Sequence, residues 1–247
     1  MNYSIILITH NRAKILKEIL QKISEFNWAY KEFIIVNNKS SDNTEDILFD
    51  FQSYLRNAKF INSRENLGHG GGISIAMEHL LKSSQLPDYL IFLEDDSIPS
   101  RELPKSLISR ISGTDYSMLS TLGSITTLGK RTLIFPKPNS IQEVDFAVFD
   151  GAILKTEVIY QVGIPESDWF MMEDDYEYCY RLRRRGLKMG VIYNDFHQIL
   201  HLGAGSGFSK SSLWRGYYQE RNYVLFLKKH FSWFNFFDFT VFFLKRV

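Results

Sequence analysis

Four short apolar runs in the first 93 residues are each closed by a polar cluster and separated by helix-length segments, which limits this chain to a narrow set of folds. The runs are Tyr3–Thr9, Phe33–Val36, Lys59–Asn62 and Tyr89–Leu93. The last reads Tyr-Leu-Ile-Phe-Leu without polar alternation, the pattern of a strand buried on both faces. Between the first two runs, Ile15, Leu16, Ile19, Leu20 and Ile23 recur at helical spacing over Ala13–Phe26. Further helices are expected over Glu45–Leu55 and from about Ile73 to Lys82. Strand-helix alternation with short loops predicts an α/β fold with a mixed, mainly parallel sheet flanked by helices. Such sheets hold ligands at the carboxyl ends of their strands. The polar clusters fall there: Thr9-His10-Asn11-Arg12, Asn37 to Thr44, Asn66 to Gly72, and Glu94-Asp95-Asp96.

The second half changes character. Shorter strands are expected at Ser117–Ser120, Thr132–Phe135 and Val144–Phe149, with an apolar stretch at Gly151–Leu154, a short helix at Glu157–Val162 and a strand at Met189–Tyr193. Asp174 to Arg185 reads as a helix with acids in its first turn and arginines in its last, the order that suits the helix dipole. A glycine-rich loop follows at His201–Gly207, then a helix from Ser211 to about Lys229. One compact unit over residues 1–230 is the economical organisation. Residues 231–247 form an aromatic tail, which reads either as a helix packed on the core or as an interfacial segment touching membrane or a partner, the second being favoured. The abrupt end of the chain suggests a shortened version of something longer.

The 247 residues are 45% hydrophobic and carry a net charge of +1, enough for a core and without a basic field for nucleic acid. The single cysteine, Cys179, rules out an internal disulfide or a cysteine metal cluster and fits a reducing, cytoplasmic setting. The amino terminus lacks a signal-peptide pattern, and no segment approaches the ~20 apolar residues of a membrane span. Glu94, Asp95 and Asp96 repel one another, and a hard divalent cation is the simplest compensation, a solvated acidic turn being the plainer reading. Gly68-His69-Gly70-Gly71-Gly72 fails the dinucleotide fingerprint, whose third glycine would fall at Ile73. The glycines suit close approach of backbone to a ligand.

Taken in order, these pieces resemble family 2 glycosyltransferases of the GT-A (Rossmann-like) fold. The resemblance runs from Ser4 to about Leu225. It rests on Thr9-His10-Asn11-Arg12, on Val36 to Thr44, on Asn66-Leu67-Gly68-His69-Gly70-Gly71, on Leu93 to Ser97, on Glu173-Asp174-Asp175 with Arg181, and on His201. Asn66-Leu67-Gly68, Cys179 to Arg183, and Tyr217-Tyr218 with Arg221-Asn222 are most similar to the bacterial rhamnosyl- and galactofuranosyltransferase branch.

The resemblance implies a nucleotide-binding half (1–98), an acceptor-binding half (99–230) and inverting transfer of galactofuranose or rhamnose. The donor would be a UDP- or dTDP-linked nucleotide-diphosphate sugar. The acceptor would be a hydroxyl of a glycan, lipid-linked in one version, in bacterial surface polysaccharide synthesis. It implies donor contacts from Thr9, Asn11, Arg12, Asn38, Ser40, Asp42, Asn66, Gly70, Glu94 and Asp95. Asn38 stands where the family usually has a base-contacting Asp, and Glu94 opens the Asp-x-Asp metal motif in place of Asp. It implies Mn²⁺ or Mg²⁺ held by Asp96 and His201, and Asp174 or Asp175 as general base, Asp174 first. Read from its own chemistry, Trp169 is assigned to stack on an acceptor sugar, with core packing as the open alternative. The tail would give peripheral contact with the inner face of the cell membrane, and no nucleic acid is expected as a partner. Two other classes stay open: a sugar nucleotidyltransferase, in which the second acid pair has no clear task, and a non-catalytic nucleotide-sugar-binding module.

Overall fold

The computed structural model of the protein describes residues 2–194, 197–199 and 213–245. The first half runs β1 (Tyr3–Thr9), α1 (Ala13–Phe26), β2 (Phe33–Asn37), α2 (Thr44–Phe51), β3 (Ala58–Asn62), α3 (Gly68–Leu81) and β4 (Tyr89–Glu94). These four strands pair in parallel, β2 between β1 and β3, and β1 between β2 and β4. The second half contributes β5 (Ser97–Pro99), α4 (Leu103–Ile111), β6 (Tyr116–Ser120), β7 (Gly123–Thr127), β8 (Lys130–Leu133), β9 (Ile141–Val144), β10 (Phe146–Ala147) and β11 (Ile153–Lys155). It closes with α5 (Ile159–Val162), α6 (Asp174–Arg184), β12 (Lys188–Ile192), β13 (His197–Ile199), α7 (Leu213–Lys229) and α8 (Trp233–Leu244). The main sheet has the order β3-β2-β1-β4-β11-β6-β12-β9, so it continues without a break from one half of the chain into the other. β11 is antiparallel to both its neighbours and β9 to β12, which makes the sheet mixed.

Alternate residues of a strand face opposite sides of a sheet, and both sides are covered here. Ile6, Ile8, Ile34, Val36 and Phe92 pack with Ile73, Met77 and Leu80 of α3. Ile5, Leu7, Phe33, Ile35, Ile91 and Leu93 pack with Leu16, Ile19 and Leu20 of α1 and with Leu103 and Leu107 of α4.

Three expectations need correction. α3 starts at Gly68 rather than near Ile73, so the glycines lie inside its first turns. A methyl group on Gly72 would come within 2.5 Å of Ile8 Cγ2, so the glycine there lets α3 lie close on β1. The expected strand over residues 144–149 divides into β9 and β10, and the one expected over Thr132–Phe135 is β8, paired with an unforeseen β7 in a small second sheet. The expected tail is largely helix α8, and it packs on the core, the reading the sequence favoured less. Tyr223 of α7 packs on Phe239 and Phe242, and Asp238 accepts the Gly129 N–H at 2.6 Å, while Trp233, Phe234, Phe237 and Leu244 stay exposed. No helix among the described residues is long and apolar enough to cross a membrane.

Candidate functional site

The carboxyl ends of β1, β2 and β4 meet the first turns of α3 and α6. The parallel register puts Ile8 beside Glu94 and Thr9 beside Asn37, which brings the polar clusters together. Arg12, just past β1, reaches the acids past β4. Its Nη1 lies 3.0 Å from Asp96 Oδ2 and its Nε 3.5 Å from Asp95 Oδ1. The His10 N–H donates to Asp95 Oδ2 at 3.2 Å. Burial pushes the Asp95 carboxyl up and Asp96 adds to this, while Arg12 opposes it.

His69, on the first turn of α3, joins the two acidic groups. Its Nδ1 is 2.7 Å from Asp174 Oδ2 and its Nε2 is 3.3 Å from Glu94 Oε1. Burial works against its charge, but Asp174 and Glu94 outweigh burial and hold the imidazolium up to about 10. Burial pushes Glu94 up to about 8, with His69 pulling down and Asp150, Asp96 and Asp95 pushing up. Asp150 also accepts the Glu94 N–H at 3.1 Å and the Ser97 hydroxyl.

The four acids around the start of α6 divide by partner. Glu173 forms two parallel bonds with Arg131 of β8, at 3.1 and 2.9 Å. Glu177 is fully buried between Arg181, at 2.9 Å, and His230, at 2.8 Å. These two hold the fold. Asp174 and Asp175 remain, and Asp174 reaches the strand-end acids through His69, while Asp175 accepts the Tyr176 N–H at 2.8 Å. Burial and the neighbouring Asp174 push Asp175 up to about 8, against the pull of His69.

The other expected site residues distribute as follows. Thr9 is buried at the end of β1. Asn38 is buried and braces β2 to α3, donating to Gly68 O at 2.7 Å and accepting the Leu67 N–H at 2.9 Å. Asn11 and Ser40 tie the first two loops together, the Asn11 N–H donating to Ser40 Oγ at 3.0 Å. Asp42 accepts the Ala13 N–H at 3.0 Å and so holds the start of α1, in addition to accepting from Thr44 at the start of α2. Asn66 closes a turn onto the Gly68 N–H at 2.9 Å. Gly70 faces Asp174, whose Cβ would lie 3.0 Å from an added methyl. Trp169 is a correction: it is 0% exposed and packed with Tyr176, Tyr180 and Phe226, so its ring has no face left for a sugar. His201 lies outside the described residues. Among the described residues, no group of three or more His, Cys, Asp or Glu side chains is arranged to enclose a metal ion.

Three contributors were missed as site residues in the sequence: His69, Asp150 and Asn222. His69 reads there only as a polar residue in a glycine run. Asp150 is a lone acid in an apolar run, which was its only signal. Asn222, on α7, is fully buried, and its Nδ2 lies 2.7 to 2.9 Å from the carbonyl oxygens of Trp169, Met171 and Met172. It clamps the loop that presents the acid pair. That loop carries positive φ at Phe170, Met172 and Glu173, conformations that side-chain-bearing residues adopt only under constraint.

The sequence profile described as glycosyl transferase family 2 matches residues 4–139, just over half of the chain. The chain is 25% identical over 157 residues to a poly-beta-1,6-N-acetyl-D-glucosamine synthase of Staphylococcus epidermidis, covering 62% of this chain and 35% of that protein. It is 22% identical over 207 residues to the galactofuranosyltransferase GlfT1 of Mycolicibacterium smegmatis, covering 75% and 67% respectively. The chain therefore spans about a third of the first relative and two thirds of the second. The crystal structure of GalNAc-T7 with UDP, GalNAc and Mn²⁺ superposes with a TM-score of 0.65 at 12% identity, over 78% of this chain and 42% of that one. The architecture is that of the GT-A glycosyltransferases.

Proposed function

The chain belongs to glycosyl transferase family 2, and from that premise we propose that it transfers a hexose from a UDP- or dTDP-linked donor to a glycan hydroxyl, with inversion at the anomeric carbon, during assembly of a bacterial surface polysaccharide. Galactofuranose or rhamnose is the expected sugar. The observation that carries this reading is the Glu94–His69–Asp174 chain, which couples the strand-end acids to a second acid across the site. A one-step inversion needs a base on the far side of the anomeric carbon from the leaving diphosphate. Asp174 suits that task because His69 fixes its orientation, and Asp175 is its alternate. A sugar nucleotidyltransferase would leave this acid pair idle.

Glu94, Asp95, Asp96 and Asp174 share two cations, Arg12 and His69. Negative charge is in excess, carboxylate oxygens suit a hard cation, and a diphosphate adds more negative charge. This charge balance supports a divalent ion in the proposed reading, although no group of described side chains encloses one. Asp96, with Asp95, would hold Mn²⁺ or Mg²⁺, with His201 as the third expected ligand. When bound, the ion would offset charge on the departing diphosphate. Arg12 remains beside the same oxygens and restrains them. The acceptor is expected to be lipid-linked, with the exposed aromatic face of α8 resting on the inner face of the cell membrane.

The test is a thermal-shift series with Mn²⁺ and UDP, dTDP, GDP or ADP on wild type and Asp96→Ala. A ligand that binds only the folded state raises the melting temperature. Stabilisation by UDP or dTDP that requires both the ion and Asp96 is expected. Indifference to every nucleotide would overturn the reading.

A further inference from the structure

Trp169 being buried leaves the acceptor without its expected platform, and the neighbouring residue supplies another. Phe170 leaves the chain at φ 57°, ψ −73°, a conformation held by the Asn222 clamp on Trp169, Met171 and Met172. Its ring is half-buried and stacks on Tyr218 of α7, with centroids 4.5 Å apart and planes at 28°. Trp214 meets Tyr218 edge-on at 6.4 Å, and Tyr217 meets it at 5.3 Å.

Trp214, Tyr218 and Asn222 succeed one another at four-residue spacing, so they form one stripe of α7. The end of the stripe at Asn222 is buried against the loop. The other end emerges, with Trp214 47% and Tyr217 65% exposed. Gln219 ties the same turn to Glu173, the residue before Asp174, at 3.5 Å. The Phe170 carbonyl lies against Gly68, one residue from His69. An open group of aromatic rings thus begins four residues from the proposed base and is continuous with its loop.

We propose that Phe170, Trp214 and Tyr218 form an aromatic shelf that binds a sugar ring of the acceptor glycan. This rests on the transferase reading. The acceptor is committed on chemistry. A sugar presents an apolar C–H face and a polar rim, and rigid aromatic rings beside a cluster of carboxylates match both parts. The shelf adjoins the acid that would take the acceptor's proton, and the strained Phe170 backbone keeps its ring against Tyr218 before any ligand arrives.

The experiment titrates methyl β-D-galactofuranoside, methyl α-L-rhamnopyranoside and methyl N-acetyl-β-D-glucosaminide into the full chain. UDP and Mn²⁺ are present, and binding is followed by saturation-transfer NMR. The proteins are wild type, Trp214→Ala, Tyr218→Ala and Tyr218→Phe, with the thermal shift by UDP and by dTDP recorded for each. At least one glycoside is expected to bind wild type. Each alanine variant should weaken it by roughly tenfold or more, as for a central aromatic anchor. Tyr218→Phe, which keeps the stack, should retain binding, and all four should keep the UDP shift. A UDP shift in wild type with no glycoside bound, or with binding unchanged in both alanine variants, overturns the shelf and leaves the transferase reading standing. Absence of a shift in wild type with UDP and with dTDP alike would overturn the transferase reading, and the shelf with it.

Discussion

Replacing Arg131 by Met tests how the second half of the protein holds its acid pair. The guanidinium makes two bonds to Glu173, at 3.1 and 2.9 Å, and lies 3.9 Å from the centre of the Tyr176 ring. The Glu173 side chain is only 5% exposed, so Arg131→Met leaves a carboxylate in a dry setting, with Gln219 at 3.5 Å as its remaining side-chain partner among the described residues. Breaking one side of a buried pair costs about 3–5 kcal/mol, chiefly because the other charge is stranded. The lost cation–π contact adds on the order of 1 kcal/mol. Glu173→Gln alone strands the cation and should also destabilise. The double variant strands neither and should lie within about 2 kcal/mol of wild type, since apolar or neutral replacement of a whole buried pair is commonly close to neutral. Urea unfolding of the four proteins measures this directly. In a chain of this size about 1 kcal/mol moves the melting temperature by roughly 2–4 °C, so Arg131→Met, at about 4–6 kcal/mol in all, should melt about 8–24 °C lower. Additive effects in the double variant, or a loss below about 1 kcal/mol for Arg131→Met, would refute the claim that the pair acts as a buried unit.

Asp174→Asn should reduce transfer by roughly 10²–10⁴-fold while UDP still raises the melting temperature, whereas Asp175→Asn should cost less; equal effects from both would remove Asp174's priority as base. Gly72→Ala should destabilise the fold by about 1–3 kcal/mol in urea, because its methyl group would meet Ile8 Cγ2 at 2.5 Å. Asp42→Ala should cost about 1 kcal/mol at neutral pH through the lost caps. Burial raises the Asp42 carboxyl, but its bonds from Thr44 and Ala13 win and hold it below its ordinary value. The wild-type advantage should therefore be full above the unfolded value near pH 4 and fade as pH falls through the lower folded value, which unfolding at a series of pH values would follow. Burial also pushes the Cys179 thiol up, so a thiol reagent should leave it unlabelled until the protein is unfolded.

What the sequence discloses and what it hides follow from the range of the interactions involved. The parallel half is legible because a doubly covered strand and an amphipathic helix each write their period into neighbouring residues, and β1, α1, β2 and β4 appear within a residue or so of expectation. The acids at the end of β4 and the start of α6 are legible as clusters. Their division of labour is not. Glu173 is structural because of Arg131, 42 positions away, and Glu177 because of His230, 53 positions away. His69 reads as one polar residue in a glycine run, and its meaning depends on Asp174, 105 residues later. The exchange of Trp169 for Phe170 has the same origin. Side by side in an apolar run, the two aromatics are equivalent to any periodicity argument, and which ring goes inward is decided by a left-handed backbone turn. Asn222 holds the carbonyls around that turn, and it arrives on a helix fifty residues further on. The placement of the proposed base and of the rings beside it thus rests on contacts between distant segments. Local pattern locates the loop, and the α7 clamp determines what the loop presents.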